Sequence, residues 1–525
     1  MIRKLLLLLL LTPCLSQGQI SFDWVRNHQV NYSMNPGIPK AMVCKGSGSD
    51  VWFAYYDSVV MSWSLDPVGR ISLLQKDDFG TTLQTLQLTS NVILNDMVTD
   101  QQGRLYVIGT FMDTLWINQS DTLINTGPAL NTDPFILCFE PNGQLRWKRN
   151  LGGGFGTSFI SPTLKVSPFG EVYYAYTDFS TGYIIHLDST GAPLGQVVVD
   201  GIRTIGDFSF TPTGGMYVAG ATGIGSTVSI GGVSQLATDS YMFYIAYTDH
   251  LGNGQWIHLA HDVTFQTPRI ATDPFGNAYV SAMLMDTITW GNWFLQGPDW
   301  VFDFWLVKVD STGSFHWAKE CPNPPGGIVG DFEITSGRSI DCDANGNVML
   351  YGLQRGAIDW GNGLFISNGP VSQSNFTAIL FDSAGIALQG KYAVCTVPKY
   401  AYNVVNNGQS WYLSGGSTTE TGVLFDTILV DFPFGQNAYL AKIIPTPVGV
   451  QEISETTATI YPNPGHSIFY VPETWTNRAP TGIFDLRGRC VYQQILQTSH
   501  LDLSHLDPGV YFARNNEATV RFVKE

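Results

Sequence analysis

The chain has 525 residues and a net charge of −16, with 27 Lys and Arg against 43 Asp and Glu. That balance argues against a partner rich in backbone phosphate, and 44% hydrophobic residues exclude wholesale disorder. The length calls for two or more units or one large repeat fold; 13% charged residues with 55 Gly and 14 Trp point to short strands and turns rather than charged helices.

Arg3 and Lys4 precede the apolar run Leu5–Leu11, and Ser16-Gln17-Gly18 follows. A charged segment, a short apolar segment and small residues predict a signal peptide over 1–18, cleaved near Gly18. Its rival is a lipoprotein acylation site at Leu11-Thr12-Pro13-Cys14, which Pro13 fits badly. No interior run approaches the roughly 18 apolar residues of a spanning helix. The other cysteines, Cys44, Cys138, Cys321, Cys342, Cys395 and Cys490, lack metal-ligand spacing and read as small hydrophobes with at most one incidental disulfide.

A repeat follows, plainest at 269–320. Ile270–Asp273 leads through Pro274-Phe275-Gly276 into Ala278-Tyr279-Val280; after a long excursion, Phe304–Val309 leads through Asp310–Gly313 into Phe315–Lys319. This predicts four strands, A to D, in a meander whose A–B and C–D turns use Asp to accept backbone hydrogen bonds and Gly for positive φ. The A–B turn recurs at Gly48, Gly103 (with Asp100), Gly170, Gly214, Gly276 (with Asp273), Gly346 (with Asp343) and Gly408. The C–D turn is read at Asp66–Gly69, Glu140–Gly143, Asp188–Gly191, Asp249–Gly252, Asp310–Gly313 and Asp382–Gly385.

Seven A–B turns stand against six C–D turns. The last unit stops after its third strand, Ala438–Lys442, whereas Ser21-Phe22-Asp23-Trp24-Val25-Arg26 at the start matches Ser314-Phe315-His316-Trp317-Ala318-Lys319, a strand D. The two orphans complete each other. The expected fold is all-β: a seven-bladed β-propeller over 19–444, closed by the N-terminal strand so that no sheet edge is left. Strands such as Phe135–Phe139 and Ala378–Phe381, apolar on both faces, suit blades stacked on two neighbours. The unit resembles bacterial cell-surface β-propeller repeats carrying D-x-x-G-N-x-Y.

In such a meander the B–C and D–A connections share one face. The span from A–B Gly to C–D acid is 18 residues in the first and third units and 34 to 37 in the second, fourth, fifth and sixth. The extra length carries small hairpins with Trp116, Trp290, Trp293, Trp300 and Trp360 on or beside them. These are the ligand-face candidates, for stacking on sugar or anchoring a protein, unless each Trp packs its own hairpin onto the blade.

Asp341, Asp343 and Asn345, followed by Gly346, match the first half of a calcium loop, but Gly352 stands where a bidentate Glu is wanted; a plain turn is the expectation, and calcium is the one cofactor left open. His258 and His261, three apart on a strand, point to opposite faces. Asp310–Trp317 is one residue short of a quinoprotein docking motif, and the turns are Asp-x-x-Gly where a sialidase box needs Asp-x-Gly. Asp96, Asp207, Arg269 and Asp341 on strands A face the expected central channel without forming an evident dyad. No catalytic residue is assigned.

After Ile444, Pro445-Thr446-Pro447-Val448-Gly449 opens a linker (445–455), and 456–525 reads as a small β-module resembling an immunoglobulin-like sandwich. Tyr461-Pro462-Asn463-Pro464, then Asp485, Gly488 and Arg489, then Leu503, Leu506, Gly509 and Tyr511, and a terminal strand occur in order. This series resembles the type A C-terminal sorting domain of the type IX secretion system in Bacteroidota. The resemblance implies recognition by the outer-membrane translocon, cleavage by a sortase-like protease, and release or attachment to surface lipopolysaccharide. The expected protein is a secreted or cell-surface binding scaffold for protein or glycan. The alternatives are a propeller hydrolase or lyase acting on polysaccharide and a purely structural surface protein.

Overall fold

The computed structural model describes residues 19–32, 40–63, 66–126, 132–151, 162–178, 180–261, 268–296, 303–322, 330–334, 337–367, 373–395, 399–446, 460–472, 475–476, 481–485, 489–514 and 519–525. The expected signal peptide and most of the linker lie outside them. The chain divides into two compact units, Gln19–Thr446 and one holding Pro447–Glu525. The elements of regular structure are β-strands.

Within the first unit, successive strands pair antiparallel as meanders. The first is Ala41–Lys45, Val51–Trp63, Asp66–Lys76 and the front of Thr82–Thr99. The back of Thr82–Thr99 opens the second, with Leu105–Trp116, Asp133–Phe139 and Leu145–Asn150. Thr163–Val166, Val172–Asp178, Thr181–Leu187 and Pro193–Asp200 follow. Next come Thr204–Phe210, Met216–Thr222, Met242–Thr248 and Gly254–His261, then Arg269–Thr272, Ala278–Leu284, Asp303–Val309 and Phe315–Glu320. The last two are Ile340–Cys342, Val348–Arg355, Ser374–Phe381 and Ala387–Val394, and Lys399–Asn407, Ser410–Phe425 and Ile428–Thr446.

That final meander takes its fourth strand from the N-terminus. Gln19–Tyr32 runs antiparallel to Ile428–Thr446, with Phe22 opposite Ile443, Trp24 opposite Lys442 and Val25 opposite Ala441. The orphan strands do pair.

The turns form for the expected reason. Asp273 Oδ1 accepts from the Phe275 and Asn277 amides at 2.9 Å, and Gly276 holds φ +86°. Asp310 Oδ1 accepts from the Thr312 and Ser314 amides, and Gly313 holds φ +87°. Asp100 and Asp343 act alike before Gly103 and Gly346. Strands B and C are buried along their whole length in Ala278–Leu284 and Asp303–Val309, whereas strand D there is partly exposed; in the third meander, Val172–Asp178 and Thr181–Leu187 are buried only at alternate stretches.

One turn is corrected. Asp66–Gly69 lies inside the strand Asp66–Lys76, where Gly69 opposes Val59. The C–D turn of the first meander is Asp77–Gly80, with Asp77 Oδ1 accepting from the Phe79 and Thr81 amides and Gly80 at φ +77°. The first B–C span is therefore longer than the 18 residues counted to Asp66. Its strands continue as one long pair where the second, fourth, fifth and sixth meanders carry separate hairpin strands.

The meanders join through a repeated contact. A tryptophan on strand D lies over the C–D glycine of the next meander and donates its indole N–H to a carbonyl of that turn. Trp147 reaches Ser189 O at 3.2 Å, Trp256 reaches Ser311 O at 3.0 Å and Trp317 reaches Ser383 O at 3.1 Å. Trp24 on the N-terminal strand does the same to Asp78 O at 2.9 Å, over Gly80. Strand-C lysines support two of these joints: Lys308 donates to Ser383 O and Lys442 to Asp78 O. The last meander thus meets the first as its neighbour. Strands A lie beside one another in chain order, and Lys399–Asn407 returns beside Ala41–Lys45.

The C-terminal unit has its own core of Ile460, Phe469, Trp475, Ile483, Leu501, Leu503 and Phe522, among others. Its main sheet runs Cys490–Gln494, Thr481–Phe484, Gly509–Arg514, Thr519–Lys524, and Ile468–Tyr470 pairs with His500–Asp502.

Candidate functional site

The strands A enclose a cavity of about 250 Å³ to which every meander contributes: Cys44 and Lys45 from the first, Thr99, Lys165, Ser209, Thr272, Asp341 and Val405 from the later ones. A charged network borders it through Arg338 and Lys165. Arg338, just ahead of Ile340–Cys342, donates through Nη2 to Asp96 Oδ2 at 2.7 Å and to Leu164 O at 2.8 Å, meanders away in sequence. Asp96 Oδ2 also accepts from Thr163 Oγ1 and the Leu164 amide, both at 2.8 Å. Lys165 Nζ pairs with Asp207 Oδ1 at 2.9 Å, and Asp207 Oδ2 accepts from the Ile270 amide at 3.1 Å. Arg269 donates to Gly206 O at 3.0 Å.

Burial would raise the Asp207 carboxyl, but Lys165, Arg338 and Arg269 outweigh it and hold it below the usual range. Burial, then the Arg338 charge, pushes the Lys165 ammonium down. Burial likewise lowers Arg269, whereas Asp96 and Asp207 outweigh it at Arg338 and raise that guanidinium. The network therefore joins three cations to two carboxylates.

Of the four strand-A charges expected at the channel, Asp341 lines the cavity, accepting from the Cys342 and Asn406 amides and tying its strand to the next meander. Asp96 and Asp207 do not line it but pair with Arg338 and Lys165, which do and which the sequence did not single out. Asp343 turns both oxygens onto its loop, accepting from the Asn345 and Asn347 amides and from Asn347 Nδ2. Asn345 enters this arrangement through its amide, so the half-loop is built as a turn. Among the described residues no group of three His, Cys, Asp or Glu is placed to hold a metal ion. His258 Nε2 lies 3.0 Å from Gly313 O of the next turn. Among the described residues no disulfide joins Cys44, Cys138, Cys321, Cys342, Cys395 and Cys490.

The hairpin tryptophans separate into two kinds. Trp290 is 1% exposed, packed on Trp305 and Phe315. Trp360 is buried among Phe304, Phe332 and Phe381, its indole N–H on Gln354 Oε1. For these two the interior position replaces the expected presentation to a ligand, because their hairpins fold flat onto the sheet. Trp116 remains 50% and Trp293 39% exposed, the latter anchored by its N–H to Phe315 O. Trp300 lies outside the described residues. Some additions also reach sideways: the hairpin strand Thr227–Ile230 pairs with Pro193–Asp200 of the preceding meander.

In the C-terminal unit the motif residues hold the module in shape. Asn463 accepts from the Val523 amide and donates to Arg521 O, fastening the terminal strand. Tyr461 pairs through its backbone with Tyr470 and stacks on its ring; Pro462 and Pro464 flank Asn463 in cis peptides. Asp485 Oδ1 accepts from the Arg489 amide across a turn, while Gly488 lies outside the described residues. Leu503 is in the core with Leu506 packed against it. Tyr511 donates to Asp507 O, and Gly509 opens its strand.

These features define an all-β protein with a sorting module at its C-terminus. Residues 459–525 match the family described as secretion system C-terminal sorting domain, which implies type IX export to the cell surface or beyond. No curated protein sequence matches the chain. Solved structures similar to it include PorZ of Porphyromonas gingivalis, described as an essential surface component of the type IX secretion system (12% identity, 91% of this chain and 74% of that one, TM-score 0.31). Others are the polysaccharide lyase Uly1 (10%, 82% and 98%, TM-score 0.38) and Drosophila Plexin A in complex with Semaphorin 1b (8%, 82% and 88%, TM-score 0.36). No helix among the described residues is long and apolar enough to cross a membrane.

Proposed function

We propose that the protein is a seven-bladed β-propeller, exported after loss of a signal peptide over 1–18 and routed through the type IX translocon by a type A sorting module beyond a linker at 445–455. At the surface of a Bacteroidota cell, or released from it, the propeller binds a protein or glycan without chemical turnover. The ring reading is supported by strands A that succeed one another back to the first, and by the tryptophan joint that Trp24 repeats between last meander and first.

The observation that carries binding over catalysis is the state of the two carboxylates paired with the cavity-lining Arg338 and Lys165. Asp96 and Asp207 share the Thr163 hydroxyl, which puts them within about 6 Å, a spacing glycosidases use. A glycosidase pair needs one carboxyl kept protonated. Here Asp96 is ion-paired to Arg338, and Asp207 is held ionised by its cations. The spacing favours the polysaccharide-active alternative and the electrostatics oppose it. The binding face is the one bearing the B–C hairpins, with Trp116 and Trp293 as its exposed aromatic anchors.

The test is a glycan array and surface-protein pull-down with the full chain, beside a polysaccharide-release assay. Retention that weakens in Trp116→Ala and Trp293→Ala, without release of sugar, is the expected result. Sugar release abolished by Asp207→Asn would establish the enzyme instead, and unchanged retention in both tryptophan variants would remove the face.

A further inference from the structure

We propose that the slot between the third and fourth meanders is a docking site for a tryptophan side chain of a partner protein. Its indole takes a place that tryptophans of this chain fill at the other joints.

The argument starts from a register. At one position on strand D, a side chain crosses to the C–D turn of the next meander. Trp147, Trp256 and Trp317 stand there, opposite Cys138, Tyr247 and Lys308 on strand C, and Trp24 stands there at the seam, opposite Lys442. In the first meander the residue is Gln84, opposite Gln75, and its Nε2 donates to Pro141 O at 2.8 Å, the same turn carbonyl that the indoles use. In the sixth it is Gln389, opposite Leu380, which accepts from the Ile20 amide of the N-terminal strand. In the third it is Gly195, opposite His186. Gly195 faces the turn Asp249–Gly252 and offers the His250 carbonyl no side-chain donor.

Neither usual reason for a glycine holds at Gly195. Its φ is not positive, and a Cβ built on it would meet nothing within 4 Å. What the missing side chain leaves is an opening of about 170 Å³, lined by Tyr173, His186, Gly195, His250 and Gly252 among others.

The rest of the joint is in place. At the filled joints the indole packs on a strand-B tyrosine, Tyr106, Tyr217, Tyr279 or Tyr412, with centroids 5.7 to 6.1 Å apart and planes at 54 to 59°. Tyr173 is the matching tyrosine, and it stacks on His186 at 4.5 Å. A Cβ on Gly191, Gly313, Gly385 or Gly80 would run into the tryptophan above it, whereas one on Gly252 would meet only Val197 Cγ2, at 3.5 Å. The slot thus keeps the tyrosine, the bare glycine and the acceptor carbonyl, and lacks a flat ring with an N–H. A phenyl ring would fill it without donating; an indole does both. Leu194 and Leu251, 63% and 74% exposed, flank Gly195 and Gly252 and give the chain carrying the ring an apolar rim to cover. A small molecule would leave that rim wet. The slot shares no residue with Trp116 or Trp293, so it stands apart from the hairpin face.

The probes are N-acetyltryptophanamide, its 1-methylindole analogue, N-acetylphenylalaninamide and free indole, titrated into the full chain and followed by ligand-observed NMR. N-acetyltryptophanamide is expected to bind, and the two amides without the N–H to bind about threefold to tenfold more weakly, the worth of one hydrogen bond. Gly195→Trp copies the filled joints and Gly195→Gln copies the first. Each should abolish binding, and Gly195→Trp should also shift the thermal midpoint of the first unit upward. If one variant does not fold, the other decides with the probe series. Absence of N-acetyltryptophanamide binding, equal binding of the 1-methyl analogue, or binding that survives both substitutions overturns the proposal. So does free indole binding the more tightly, which would assign the slot to a small molecule, or self-association of the native chain dispersed by Gly195→Trp, which would assign it to a second copy.

Discussion

Trp24, Trp147, Trp256 and Trp317 share one register on strand D, and all four make the same contact, ring over a glycine and N–H on a turn carbonyl of the next meander. Trp116, Trp290, Trp293 and Trp360 share only their location on connections, and their fates diverge: two are buried and two partly exposed. A residue that repeats in register inherits its neighbour from the backbone geometry. A residue on an insertion takes whatever surface its own hairpin meets. Periodicity therefore predicts contacts, whereas recurrence in loops predicts only composition.

The strongest test of the shared register is its seam. Deleting residues 19–27 removes Trp24 and most of the pairing to Ile428–Thr446. Loss of a cooperative thermal transition in the first unit is expected, and an unchanged melting curve would break the argument. Next, Trp317→Ala and Trp290→Ala should each cost about 3–5 kcal/mol by denaturant unfolding, since both rings are buried. Trp317→Phe keeps most of the ring and loses the bond to Ser383 O, so its cost should fall to about 1–2 kcal/mol.

A third experiment asks whether register or local chemistry rules at the start of strand C. Asp303 and Asn375 occupy matching places, each accepting from a cysteine amide, Cys321 at 2.8 Å or Cys395 at 2.7 Å. Burial raises the Asp303 carboxyl to about 8, with the Glu320 and Asp331 charges adding to it. Its folded value exceeds its unfolded one, so stability is greatest below about pH 4 and declines as pH rises toward 8. Asp303→Asn should abolish that slope. Its gain in stability over the native chain should be about 1–3 kcal/mol larger at pH 8 than at pH 5, read by urea titration at both. The smallest effect is expected at Trp293→Ala: a change in stability below about 1 kcal/mol, with its consequence seen in ligand retention.

The meander was legible because its turns are local chemistry. Asp and Gly at fixed spacing specify a turn without help from distant residues, and the orphan strands could be matched by pattern. The misplaced turn at Asp66 shows the limit. Asp77-Asp78-Phe79-Gly80 carries the same signal, and what distinguishes the two is contact from far away in sequence, the Trp24 indole and the Lys442 ammonium on Asp78 O. The charged network was half legible. Asp96, Asp207 and Arg269 stood out as charges on otherwise apolar strands, but Arg338 precedes its strand and acts across the cavity on Asp96, a partner no spacing announces. Burial of Trp290 and Trp360 depends on how a hairpin folds back, which composition does not encode.

The pairing of Gln19–Tyr32 with Ile428–Thr446 also sets an order of events. Only the end of Gln19–Tyr32, at Asn31 and Tyr32, meets an early partner, Ser58 and Val59; the rest pairs with Ile428–Thr446, a contact of the longest sequence separation that closes late. Until then the unit is an unfinished stack with a bare β-edge at either end, the condition most open to pairing with a stranger.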